Sequence, residues 1–321
     1  MRICIFGAGA IGGVIAGKLA KSGADVSVVA RGENLRAIRA NGLTVHTGGT
    51  SFTVPVKASD DPADLGRQDA VLLSVKEHQL PAAMSGLPPL LGPETVIVPP
   101  TTGIPYWFFD TPGGSKVSPL DPSGQLAAVA PLDRVLGCVY WIGAHAEAPG
   151  VVVEDGAGGC PMGEPGGQMS ARLRALSDAF MAAGINAPMR DNIRGEIWVK
   201  TINSLCWNAV ACLTMASNGE IGQSPALDIV RGMMGEADAM AEQLGIAIPY
   251  PIEKRLKLTL GAPGHKMSML RDLEAGKPLE IGALERSIRA VAEMANAQMP
   301  TIDTVLSLLQ LRAREKLAAI H

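Results

Sequence analysis

Residues 2–13 read RICIFGAGAIGG: a short run dominated by apolar residues, then glycine at positions 7, 9, 12 and 13. A run this brief, closed by glycine, predicts a buried strand, and the small-residue stretch at 11–22 predicts a helix after it. Between them Gly7-Ala8-Gly9-Ala10-Ile11-Gly12 carries the spacing GxGxxG. Three needs are met by the three glycines. Gly7 permits a tight turn, Gly9 lets a phosphate approach the backbone, and Gly12 lets the helix pack on the strand. The unbonded N–H groups and the dipole at the helix start then favour a pyrophosphate. Strand, turn and helix in this order predict a dinucleotide site formed by Gly7, Ala8, Gly9, Ala10, Ile11 and Gly12.

Further strands are expected at 26–30 (VSVVA), 69–75 (DAVLLSV), 95–98 and 134–140, with a helix at 33–40. Short apolar runs separated by helices imply a parallel sheet covered on both faces. Residues 43–56, with Gly48-Gly49 in the middle, read as a hairpin between βα units. The Pro-, Gly- and Ser-rich stretch 110–131 reads as loop. From about Gly195 the pattern is helical, over 194–215, 225–244, 252–260, 267–275, 280–297 and 301–318. The expected fold is α/β, with a Rossmann-type doubly wound sheet over 1–190 and an all-helical domain over 191–321.

A chain of 321 residues is long enough for two cores. A net charge of −3 and a pI near 6.0 give no basic field for nucleic acid or a membrane surface. The glycines from position 7 interrupt the apolar opening too early for a signal peptide, and no run of 18 apolar residues follows. Cys4, Cys138, Cys160, Cys206 and Cys212 form no CxxC and suit core positions, so neither a disulfide framework nor a metal site is expected. A cytoplasmic protein follows, and the last two helices carry enough Leu and Ile to support a homodimer.

At the end of the second strand an NAD site would place an acidic residue for the ribose 2′-hydroxyl. Here the strand ends Val29-Ala30-Arg31-Gly32. Arg31 can fork onto a 2′-phosphate, which favours NADPH, while Glu33 suits the following helix start. Lys76 lies just past the DAVLLSV strand, and Thr101-Thr102-Gly103 follows the next one, on the edge where open α/β sheets bind ligands. In the second half Lys200, Asn203, Ser204, Trp207, Asn208 and Ala211 share one helical face. Amides, a hydroxyl, an indole and a single ammonium suit a site that orients a small polar molecule and delivers one proton; a satisfied interdomain face is the other reading. Ser268 is placed to bond a substrate carboxylate. Glu280 begins a helix, where it either serves the dipole or holds a lysine in place.

Taken together, GAGAIGG at 7–13, ARG at 30–32, SVK at 74–76, IWVK at 197–200, SNGEI at 217–221 and SMLRDLEAGKPLEI at 268–281 resemble ketopantoate reductase (2-dehydropantoate 2-reductase), one of the 6-phosphogluconate-dehydrogenase-like reductases. The resemblance runs along nearly the whole chain. It implies that Lys200 is the general acid, and that Glu280 orients it beside the nicotinamide ribose. It further implies that Lys76 and Thr102 sit at the cofactor edge, and that Ser204, Asn208, Asn218 and Ser268 bind substrate. The product would be (R)-pantoate, for the route to coenzyme A. The chain departs from the family pattern at Thr102 and Ser204, where the family has Asn, and at Ala209 and Gly282. Trp207 and Tyr106-Trp107 are expected to reshape the pocket. Another branched or aromatic 2-oxo acid or ketone therefore stays open as substrate, as does an NADPH sensor without turnover.

Overall fold

The computed structural model describes residues 1–76, 79–100, 103–110, 120–156, 158–277 and 279–318. The chain divides into two compact units, Met1–Thr101 with Pro105–Ile193 and Thr102–Ile104 with Arg194–His321.

The first unit opens with β1 (Arg2–Phe6), α1 (Ala10–Lys21), β2 (Asp25–Val29) and α2 (Gly32–Asn41). The strands β5 (Lys57–Ser59), β6 (Gln68–Leu73) and β7 (Leu91–Val98) complete a parallel sheet in the order β5-β2-β1-β6-β7. Ile3, Cys4 and Ile5 of the central strand are buried, as a strand covered on both faces requires. Because β2 lies on one side of β1 and β6 on the other, the strand order reverses beside the carboxyl end of β1. Ligands bind at such a switch point. Gly7 is there.

The expected hairpin exists as β3 (Leu43–Thr47) and β4 (Thr50–Val54), with Gly48 at φ +55° and Gly49 at φ +74° in the turn. It is not a free-standing insertion. β3 pairs in parallel with β10 (Val151–Gly156), which pairs with β9 (Gly143–Ala148), so a second sheet runs β4-β3-β10-β9. Helix α1 packs between the two sheets, and its glycines make this possible. A Cβ at Gly13 would stand 2.8 Å from Val152 Cγ1, and one at Gly17 2.4 Å from Val45 Cγ2. Lys18, in the last turn of α1, reaches Glu154 of β10 at 2.6 Å, and Thr47 donates to the same carboxylate. The pair is almost wholly buried, so breaking it from one side would strand a charge.

The run at 134–140 is not one strand. Val135 bridges to Ile97, whereas Gly137–Cys138 forms β8 with β11 (Met162–Gly163). Gly137 leaves room for its neighbours here, because a Cβ there would meet Ile193 Cγ1 at 2.7 Å and Trp107 Cη2 at 3.0 Å. Two further short helices are α3 (Leu80–Ser85) and α4 (Gln125–Val129), the latter inside the stretch read as loop. Helix α5 (Ala171–Ala182), absent from the sequence reading, starts at Ser170, whose hydroxyl accepts from the Leu173 N–H.

The second unit holds α6 (Ile193–Thr214), α7 (Asn218–Gly222), α8 (Ala226–Gln243), α9 (Ile252–Leu260), α10 (Ser268–Glu274), α11 (Ile281–Ala295) and α12 (Pro300–Ala318), with no strand among its described residues. Asp238 of α8 accepts from Trp198 Nε1 and pairs with the buried Arg255 of α9. Glu236 accepts from Thr301 N and Ile302 N, satisfying the first donors of α12. The α/β fold with a helical C-terminal part is as expected. All five cysteines are buried and free; burial pushes the thiols of Cys4 and Cys212 up to about 12, which leaves them inert. Among the described residues no helix is long and apolar enough to cross a membrane, and no His, Cys, Asp and Glu cluster could hold a metal ion.

Candidate active site

In the first unit the site is built around Gly7, whose φ of +109° only glycine adopts at little cost. A Cβ there would also meet Val75 Cγ1 at 2.9 Å. Gly12 is more restricted still: its Cβ would fall 2.1 Å from the Gly7 carbonyl oxygen and 2.2 Å from Ser74 Oγ. The helix therefore rests directly on the turn. At Gly9, by contrast, nothing lies within 4 Å of where a Cβ would be. Helix α1 has no side-chain cap and no acidic residue in its first turn. Its first internal bond is Gly13 N–H to Gly9 O at 2.7 Å, so the N–H groups of Ala10, Ile11 and Gly12 precede the ladder. An open approach to uncapped donors at a switch point fits a dinucleotide pyrophosphate.

Two residues that sequence reasoning missed hold this turn. Ser74 donates to the Gly7 carbonyl at 2.6 Å. Asn34 of α2 donates to the Ala8 carbonyl and accepts from Gly150 N–H, both at 2.7 Å, tying the turn to the β9–β10 connection. Ser74 was within reach of sequence analysis, in SVK beside Lys76. Asn34 was not, because its partners lie 26 and 116 residues away.

Arg31 caps α2 from the end of β2 with its side chain exposed, and no described residue pairs with its guanidinium. Glu33 pairs instead with Arg36, at 3.7 Å. Lys76 is exposed just beyond the end of β6. Gly7, Arg31 and Lys76 thus stand at the carboxyl ends of three adjacent strands. Thr102 lies outside the described residues. Tyr106 and Trp107 do not line an opening: both are interior, the Tyr106 hydroxyl donating to Ala130 O and Trp107 lying against Gly137. They are packing residues.

In the second unit, α6 is buried from Gly195 to Cys212 except at Lys200, Asn203 and Ser204, which keep partial exposure. The polar stripe is therefore a small open patch in an otherwise buried helix, and Trp207 belongs to the buried part. Burial draws the Lys200 ammonium well below the ordinary lysine range, to about 8. An acid of that strength is protonated at neutral pH yet gives up its proton readily.

Around this patch Asn208, Asn218 and Ser268 are drawn together. Asn208 donates to the Ser204 carbonyl at 2.7 Å and accepts from Met269 N–H at 2.9 Å, which fixes the start of α10, where Ser268 is exposed. A capping box between Ser217 and Glu220 starts α7, whose first residue, Asn218, donates to Thr259 O at 3.3 Å. Asn203 donates to the Thr259 hydroxyl at 3.4 Å. Glu280 is half-buried at the start of α11, and its carboxylate does not cap its own helix. Asn203 belongs to the expected polar face; Thr259, which joins it to Asn218, is a residue the sequence does not single out.

Two family models match the chain: ketopantoate reductase PanE/ApbA over residues 3–167, and its C-terminal part over 192–313. The chain belongs to the ketopantoate reductase family. A 2-dehydropantoate 2-reductase from Mesorhizobium japonicum is 39% identical over 98% of this chain and 99% of its own length. Among solved structures, a protein from Ralstonia solanacearum assigned as a ketopantoate reductase superposes with a TM-score of 0.90 at 36% identity, covering 98% of each chain. The D-mandelate dehydrogenase solved with NADH and anilino(oxo)acetate shares the fold, with a TM-score of 0.85 at 20% identity over 98% of this chain and 99% of its own. This chain is thus an oxidoreductase of the 2-dehydropantoate 2-reductase family.

Proposed function

We propose that this protein uses NADPH to reduce a small 2-oxo acid to the 2-hydroxy acid, with 2-dehydropantoate giving (R)-pantoate as the first choice. Residues 1–190 hold NADP and residues 191–321 hold the substrate. The observation that carries the reading is Lys200: one half-buried ammonium, tuned to about 8, set among Asn203 and Ser204 on a buried helix. The full-length identity with the Mesorhizobium japonicum enzyme supports the choice of substrate.

The cofactor, when bound, supplies the hydride. The backbone of Gly7 to Gly12 holds its pyrophosphate, Arg31 its 2′-phosphate, and Lys76, Thr102 and Glu280 its nicotinamide end. Lys200 gives its proton to the carbonyl oxygen as negative charge develops there, and Glu280 orients the ammonium. Ser204, Asn208, Asn218 and Ser268 orient the substrate. Asn208 is engaged at both ends of its amide, so much of its part is to place Ser268. Ser204, shorter than the amide it replaces, favours as a second reading another branched or aromatic 2-oxo acid on the same machinery.

A panel of 2-oxo acids, followed by NADPH oxidation, tests the proposal. Highest kcat/KM for 2-dehydropantoate supports the first reading, and a preference for an aromatic member supports the second. Tight NADPH binding without turnover on any member would reject both in favour of a sensor. Arg31→Ala is expected to raise the KM for NADPH at least about 10-fold while changing that for NADH by less than about two-fold, since only NADPH carries the 2′-phosphate. Equal losses for the two cofactors would overturn the NADPH assignment.

A further inference from the structure

Helix α6 carries Lys200, and Glu280 stands immediately before α11. The first helix is bonded to Gly103 and the second to the next residue, Ile104. The hydroxyl of Thr201, next to Lys200, donates to the Gly103 carbonyl at 3.1 Å. The Ile104 N–H donates to Ser287 Oγ at 2.9 Å, and Ser287 in turn donates to the Ala283 carbonyl one turn back in α11, at 2.8 Å. Donor and acceptor roles are fixed along this chain. The Ser287 proton goes to Ala283, so its oxygen is left to accept from Ile104. Thr201 and Ser287 are buried, so each bond is shielded from competing water.

Gly103 fits this junction because it has no side chain. Its φ is +80°, and a Cβ would stand 2.6 Å from Ser287 Oγ and 3.1 Å from Ala283 O. Residues 103–104 are thus a wedge between two helices, touching each through a hydroxyl. Ser287 lies seven positions after Glu280, roughly 10 Å along the axis of α11, so a slip at the wedge is transmitted to the carboxylate by a rigid rod.

We propose that Thr201 and Ser287 are positioning residues for the reduction: by clasping Gly103 and Ile104 they set the register of the helix carrying Lys200 against the helix that starts at Glu280. This rests on the reading in which Lys200 is the acid and Glu280 orients it. Both hydroxyls are engaged within the protein, Thr201 with Gly103 and Ser287 with Ala283 and Ile104. Their effect reaches the reaction only through where Lys200 stands.

The test compares Thr201→Val, which keeps the shape and removes the hydroxyl, with Thr201→Ser, which keeps the hydroxyl; Ser287→Ala breaks the other half. Thr201→Val and Ser287→Ala are each expected to lower kcat about 10-fold, with the KM for NADPH within about two-fold of wild type, and Thr201→Ser to retain at least about half of kcat. A readout independent of turnover is the rate of reductive methylation of Lys200, followed by peptide mass spectrometry. Loosening the wedge is expected to change it about three-fold or more, while Lys18, buried against Glu154 in the other unit, keeps its wild-type rate. Should Val and Ser at 201 behave alike in both kcat and labelling, or should Lys18 and Lys200 shift together, the proposal is overturned. If no 2-oxo acid is turned over by the wild type, the labelling still decides the wedge, and only the reductase reading falls.

Discussion

Lys200→Ala is expected to lower the turnover of 2-oxo acid reduction by at least about 100-fold, the usual worth of a positioned general acid, and to leave NADPH binding nearly unchanged. Without the ammonium, the oxygen that receives negative charge as hydride arrives has no proton donor. The pH profile carries the same signature. With Lys200 near 8, reduction declines as pH rises through that value, because the protonated form is lost. Oxidation of the 2-hydroxy acid, which needs the neutral amine, rises over the same interval. The folded protein holds this lysine near 8 and the unfolded chain near the ordinary value of about 10.4, so between those limits the unfolded state binds more protons. On this group's account, stability therefore rises with pH across that window, and the charged lysine costs stability below it. Lys200→Met is expected to melt at or above the wild-type temperature at pH 7 while being inactive. Near-normal turnover in either variant removes Lys200 from the mechanism.

Gly12→Ala and Gly9→Ala separate into a folding defect and a binding defect. At Gly12 the added methyl would meet a backbone oxygen at 2.1 Å, which no rotamer change relieves, so α1 must lift from the turn. Overpacking of this kind costs about 1–3 kcal/mol or more, and the melting temperature falls by roughly 2–4 °C for each of those. At Gly9 the methyl meets nothing in the protein, so the melting temperature of the free enzyme stays within about 1 °C of wild type. Its NADPH affinity is nevertheless expected to fall at least about 10-fold, because the methyl takes the space proposed for the pyrophosphate. Calorimetry and NADPH titration on the two variants check both halves. Parallel losses at the two positions would show that Gly9 is there for the fold alone.

How much of this was legible in the sequence follows the range of the interactions. The strand, turn and helix at 2–21 were readable because each is set by neighbours a few residues away. So were α8, α9 and α11, whose apolar spacing is local. The second sheet was not, since β3 finds β10 only after a long stretch of chain, and no pattern in residues 43–54 names that partner. The need for glycine at 137 likewise depends on Trp107 and Ile193. Of the site, the single-residue signals were visible: Arg31 where an acid was expected, Lys200 in a stripe without other charge. Hidden were the residues that brace them, Asn34, Ser74, Thr201, Thr259 and Ser287. Each is an ordinary polar residue until its distant partner is known.

The helix whose start is the proposed pyrophosphate site, α1, is braced from behind by the second sheet. Small changes of volume at Val45 or Val152, or of charge at Glu154, are expected to shift the helix slightly and, with it, the proposed phosphate site. An engineer wishing to weaken or strengthen coenzyme retention without disturbing the reacting groups has in β3 and β10 a remote adjustment, reached through Gly13, Gly17 and Lys18.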